Sequence, residues 1–188
     1  MTKVGLQRLS EPRERKDGVA IGETDSRLET VDGWVLPSPA PTVPHQSVAH
    51  LLVRALRTSA RKAGLGAHGA VLLRLGPDRL LVPDLVVARA DRLAAFADAT
   101  DTVLVGEITR PGSDYAGTPE RIEHYAAAGI PWLLLTQPES AEHRAVTVRL
   151  FHLQDERYLE RASAGPGDIL ISKVPFPLRI RTADLVVF

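Results

Sequence analysis

Between Leu81 and Thr136 two short apolar runs, LVPDLVVA and TVLVGEI, each carry one carboxylate, Asp84 and Glu107. A bounded helical pattern and a third apolar run, TPERIEHYAAAGIPWLLLT, follow at once. A carboxylate inside an apolar strand is costly unless its charge is offset, and a divalent cation is one agent that offsets it. Both carboxylates fall where a strand gives way. Pro83 removes a ladder donor beside Asp84, and Glu107 precedes the polar loop RPGS.

The rest of the chain can be read around that stretch. LETVDGWVL reads as a hairpin closed at Asp32-Gly33, with a Pro-rich loop after it. From about His45 to Ala63, Val48, Leu51, Leu52, Ala55 and Leu56 share one helical face, and Gly64 ends the pattern. VLLRL and RLLVPDLVVA read as two strands around the tight turn GPD. ARADRLAAFADATD is a connection with one short helix. A second long helix is expected over 118–128, with Thr118 as N-cap, Pro119 at the first helical position and Gly129 just past the end. Its apolar side holds Ile122, Tyr125 and Ala126, with Arg121 one turn before Tyr125. IPWLLLT is a buried strand, VTVRLFHL, RYLER, DILIS and LRIR form a meander, and ADLVVF closes the chain.

This order predicts an α/β (α+β) fold with one mixed central sheet flanked by helices. Strands 103–108 and 132–136 should pair in parallel, because a helix of crossover length lies between them. Residues 1–26 have no sustained period and read as an arm that orders against a partner subunit. Residues 27–188 read as a single domain, a size able to bury a core of its own.

Charge and composition bound the chemistry. The chain of 188 residues has 23 basic and 23 acidic side chains, so a nucleic-acid partner would have to be held by a local patch. One candidate is the stripe Arg54, Arg57 and Arg61 on the first helix, which reads either as a row of phosphate contacts or as a solvated face. The absence of cysteine excludes disulfides, thiolate zinc sites and cysteine nucleophiles. No apolar run reaches the ~18 residues of a membrane span and no signal peptide is evident, so a cytoplasmic protein without membrane contact is expected. His45 and His50 are not spaced to share one helix face, which argues against zinc. No G-x-S-x-G, P-loop or dinucleotide fingerprint is present.

Two carboxylates from neighbouring strand ends can hold Mg²⁺ (or Mn²⁺), with water filling the remaining positions. Such an ion activates water and stabilises charge on a phosphoryl oxygen. Arg121 is the nearby cation that could hold a phosphate. Spacing alone leaves the alternative that each carboxylate simply bonds to adjacent backbone at its strand end.

The run PD at 83–84, EIT at 107–109, the loop RPGS and YAAAGIPW at 125–132 resemble the Uma-two family of restriction-endonuclease-like proteins, a branch of the PD-(D/E)XK nuclease superfamily. ETVDG at 29–33 and PSPAPTVPHQ at 37–46 resemble the family's opening, so the likeness spans roughly residues 27 to 185. The resemblance implies a restriction-endonuclease-like core, a Mg²⁺-dependent endonuclease acting on DNA, and a homodimer. It implies metal ligation by Asp84 and Glu107, outer-shell roles for Glu29 and Gln46 beside His45, and a catalytic cation at Arg121. Thr109 stands where the superfamily has lysine, Gly117 where the family commonly has Asp, and Asp114 is out of register. These departures set an active nuclease against a degenerate nuclease fold that serves as a nucleic-acid-binding or assembly module, since guanidinium is a poor substitute for a lysine that must position or deprotonate water.

Overall fold

The computed structural model describes residues 7–8, 27–32, 34–38, 41–89, 95–109 and 118–186. Most of the expected N-terminal arm, the centre of the 88–101 connection, the 110–117 segment with Asp114 and Gly117, and residues 187–188 lie outside these. So does the proposed Thr118 side-chain cap. From the arm, β1 (Gln7–Arg8) pairs with a strand of its own chain, β3 (Trp34–Ser38). The hairpin partner of β3 is β2 (Arg27–Val31), with Val31 opposite Trp34.

Helix α1 (Val43–Lys62) starts earlier than its apolar stripe suggests. Thr42 caps it by accepting the His45 N–H at 3.4 Å, and Pro44 is tolerated in the first turn, where backbone N–H groups lack intrahelical acceptors. Gly64, at φ +75°, ends it, and the Leu65 N–H reaches back to the Ala60 carbonyl at 2.9 Å. Val48, Leu52, Leu56 and Ala60 form the buried ridge, together with Ala49. Leu51 packs at the margin of that core. Ala55, expected on the buried face, is exposed, because the ridge follows the i, i+4 row.

The central sheet has six strands in the order β12-β11-β10-β9-β7-β4: β4 (Gly66–Gly69), β7 (Leu85–Ala88), β9 (Thr102–Ile108), β10 (Trp132–Pro138), β11 (Val146–Gln154) and β12 (Arg157–Ala164). It is mixed. β9 and β10 run parallel, joined through α2 (Thr118–Ala127), and the other neighbours are antiparallel. Alternation along β7 and β9 sends Leu85, Val87, Leu104 and Ile108 into a core shared with α1, and Val86 and Val105 into one shared with Tyr125 and Ile130. Helices therefore flank the sheet on both faces. Gly129, at φ +73°, lets the chain leave α2 with the Ile130 N–H bonded to the Tyr125 carbonyl at 3.1 Å.

The single-sheet expectation needs one correction. RLLVPDLVVA does not form one strand: β6 (Arg79–Leu81) belongs to a second six-stranded sheet, β1-β3-β2-β6-β5-β8, with β5 (Leu73–Gly76) and β8 (Ala97–Asp98). β7 belongs to the first. Pro83 has no N–H for a ladder, and the Val82 N–H leaves the ladder for the Glu29 carboxylate at 2.7 Å, so the chain crosses between sheets at 82–84. The end of the meander likewise separates as a two-stranded sheet, β13 (Ile169–Ser172) with β14 (Leu178–Arg181). After it, Leu185 from the closing segment is buried in the α1-side core. No helix among the described residues is long and apolar enough to cross a membrane.

Candidate metal centre and adjoining groove

Leu85 on β7 pairs with Gly106 on β9. The Leu85 side chain lies over Gly106, since a Cβ on Gly106 would fall 2.9 Å from Leu85 Cδ2. One residue beyond that pair, the same register sets Asp84 against Glu107. The Ile108 N–H donates to Asp84 Oδ2 at 2.9 Å, and His45 Nε2 from the first turn of α1 meets Asp84 Oδ1 at 2.8 Å. Asp84 thus bonds to the backbone of the neighbouring strand, one residue beyond Glu107.

Glu107 turns to the α2 side. Its Oε1 accepts from the Tyr125 hydroxyl and, at 3.0 Å, from Arg121 Nε. Arg121 Nη1 donates to both oxygens of Glu29, at 2.7 and 2.6 Å, while Nη2 donates to the Val82 carbonyl and the Tyr125 hydroxyl, each at 3.1 Å. A guanidinium has five N–H groups, and all five are committed within the protein. Arg121, expected to contact a phosphate, instead ties β2, the 82–84 crossing, β9 and α2 together. Glu29 is equally engaged, between Arg121 and the Val82 N–H.

Glu29, Asp84 and Glu107 are each 7% exposed. Burial, and then the charge of Asp84, push the Glu107 carboxyl up to about 7 against the opposing influence of Arg121 and Tyr125. Burial and the neighbouring Glu107 raise the Tyr125 hydroxyl well above its usual range, so it stays a donor to Glu107. Arg121 is held above its usual value, because the attraction of Glu107, Tyr125 and Glu29 outweighs the opposing cost of burial.

The donor set fits a hard divalent cation. Glu107 Oε2 makes no hydrogen bond among the described residues, its carboxyl resists ionisation because it is buried near another carboxylate, and both candidate ligands offer oxygen. Among the described residues no three His, Asp or Glu side chains converge on one point. Asp84 and Glu107 would therefore hold the ion as a two-carboxylate set completed by water, a mode Mg²⁺ accepts. Thr109, at the superfamily lysine position, is buried, and its N–H continues the β9–β10 pairing to Thr136 O at 2.9 Å.

An open groove of about 1610 Å³ runs along α1 beside β4 and includes Asp84 in its wall. Arg57 and Arg61 line it, but Arg54 does not, so the sequence stripe splits. Gln46 also lines the groove, exposed, and its side chain makes no hydrogen bond to either carboxylate. Sequence reading missed two residues. The Tyr125 hydroxyl read as part of a core aromatic. His143 stands edge-on to His45 at 6.4 Å with Nδ1 donating to the Ala141 carbonyl, and no local pattern marked it.

A protein-family model described as "Putative restriction endonuclease", Uma2, matches residues 17–184. The chain belongs to the Uma2 family. The match begins within the segment read as an arm, ahead of the span covered by the sequence resemblance. Among solved structures, a protein titled a putative nuclease belonging to DUF820, from Anabaena variabilis ATCC 29413, has a similar fold. The TM-score is 0.64 at 20% identity, over 88% of this chain and 92% of that one. No curated protein gives a significant match. In this Uma2 chain Asp84 directly precedes β7 and Glu107 lies near the end of β9.

Proposed function

We propose that the protein is a Mg²⁺-dependent (or Mn²⁺-dependent) endonuclease that hydrolyses DNA phosphodiester bonds. What supports this reading best is the β7–β9 register that sets Asp84 against Glu107, one bonded by Ile108 N–H and the other by Arg121 and Tyr125. Bound there, the divalent ion would supply Lewis-acid stabilisation of a phosphoryl oxygen and an activated water. Asp84 is oriented by His45 and the Ile108 N–H. Glu107 is held by Tyr125 and Arg121 through Oε1, so Oε2 would be the atom that takes the ion.

Arg121 acts on this reading as a positioning residue. It fixes Glu107 and neutralises part of the buried charge, and guanidinium does not give up its proton to serve as a base. The same full commitment of Arg121, with Thr109 in place of lysine, favours a second reading in which metal and nucleic acid bind without turnover. Incubation with supercoiled plasmid and with single-stranded DNA in Mg²⁺ or Mn²⁺ decides between them. Metal-dependent cutting lost in Glu107→Gln supports the nuclease, and binding without cutting supports the degenerate module.

A homodimer is proposed as well. Ile171 and Val174, exposed at and just after β13, are apolar surface that a second copy could cover. Light scattering that gives a monomer mass at high concentration would count against it.

A further inference from the structure

We propose that the groove between α1 and β4 is a track for a single-stranded nucleic-acid segment leading to Asp84, an assignment that rests on the nuclease reading of that site. The groove follows α1 from Gln46, near the His45–Asp84 contact, to Arg61 and Gly64. That is about 22 Å between Gln46 and Arg61 at the α-helical rise, room for several nucleotides.

Its lining is that of an unpaired strand's partner. Val53 and Val71, half-buried, supply apolar surface above the buried Ala49 and Leu65, and Arg57 and Arg61 stand exposed without an ion pair among the described residues. Among the described residues that line it, Asp84 is the one acidic side chain. A cationic, partly apolar channel is complementary to a chain that offers phosphates on one side and base faces on the other. A duplex keeps its base faces stacked inside and offers an apolar floor nothing to cover.

One wall carries a candidate stacking platform. His68 and Gly66, both on β4, line the groove. A Cβ on Gly66 would fall 2.3 Å from His68 Nε2, with two further ring atoms at 3.1 and 3.3 Å. The Nε2 edge of the imidazole therefore points at Gly66, into space that any larger residue would fill, and His68 remains exposed, so its ring faces are not covered by Gly66. Imidazole faces are among the surfaces on which unpaired bases stack.

Fluorescence anisotropy with a labelled short DNA strand and with the matching duplex, in EDTA so that nothing is cut, tests the assignment. The wild type should bind the single strand about tenfold more tightly than the duplex. His68→Ala should weaken single-strand binding about tenfold, and Gly66→Ala, which displaces the ring, should do the same with His68 intact. Arg57→Ala with Arg61→Ala should lower the slope of log K against log salt by about 1.4, about 0.7 for each phosphate that the protein no longer neutralises. Duplex binding as tight as single-strand binding would overturn the track. So would wild-type affinity in a folded His68→Ala protein, or a dimer that His68→Ala converts to monomer, which would make the groove a contact between copies. Cleavage plays no part in this readout: single-strand preference without any cutting in Mg²⁺ removes the nuclease reading alone, and cutting without that preference removes the track alone.

Discussion

Arg121 Nε lies 3.0 Å from Glu107 Oε1, and the same guanidinium clasps both oxygens of Glu29. One cation from α2 thus serves two buried carboxylates on strands of two different sheets. Arg121→Ala would leave both without it, and removing one partner of a buried pair costs about 3–5 kcal/mol. Chemical denaturation should show a loss of that size. Arg121→Lys keeps the charge but not the five-donor fork, so it should destabilise less. If a lysine is what the site lacks for turnover, Arg121→Lys should also raise metal-dependent cutting of plasmid.

Tyr125→Phe keeps the ring in the core and removes the hydroxyl that donates to Glu107 and accepts from Arg121. Two buried polar groups each lose a partner, which should cost about 1–3 kcal/mol. A denaturation midpoint unchanged from wild type would mean that the hydroxyl contributes nothing to holding Glu107.

Gly106→Ala tests the packing of the Leu85 side chain over Gly106, one residue from the carboxylates. The new methyl would meet Leu85 Cδ2 at 2.9 Å and Leu85 Cβ at 3.0 Å, and Leu85 is fully buried. Overpacking of this kind should destabilise by about 1–3 kcal/mol, read as a lower melting temperature. Combined with Leu85→Ala, which vacates the contact, the substitution should cost less than the sum of the two.

Glu107 gives the stability a pH dependence of definite sign. Its carboxyl is raised from 4.5 to about 7 in the folded chain, so between those values the native state holds a proton that the unfolded state has released. Its contribution to stability is complete below pH 4.5, declines as pH rises towards 7, and is flat above. Glu107→Gln should remove this decline. A wild-type melting temperature that instead rises between pH 5 and 7, with no difference in Glu107→Gln, would contradict the assignment.

What could be read in advance was whatever a local residue enforces. Gly64 and Gly129 end their helices with positive φ, Pro83 stops a ladder, and the helix over 118–128 makes β9 and β10 a parallel pair. Asp84 and Glu107 were legible as a pair because each interrupts an apolar run. The crossing at 82–84 was not, because β6 and β7 have the same apolar character and what separates them is the distant Glu29 carboxylate drawing off the Val82 N–H. β4 was missed for a different reason: Gly-Ala-His-Gly has no alternation, and its pairing with Leu85–Ala88 is made by backbone alone. The closure of all five Arg121 donors depends on partners up to 92 residues away in sequence, beyond any local pattern.

The most direct test of the account is a Mg²⁺ and Mn²⁺ titration of the melting temperature, on the wild type and on Glu107→Gln. If Asp84 and Glu107 form a cation site, the wild-type melting temperature rises progressively with metal concentration, while Glu107→Gln stays folded and loses that rise. No response of the wild type at millimolar metal, or the same rise in Glu107→Gln, would contradict the two-carboxylate centre.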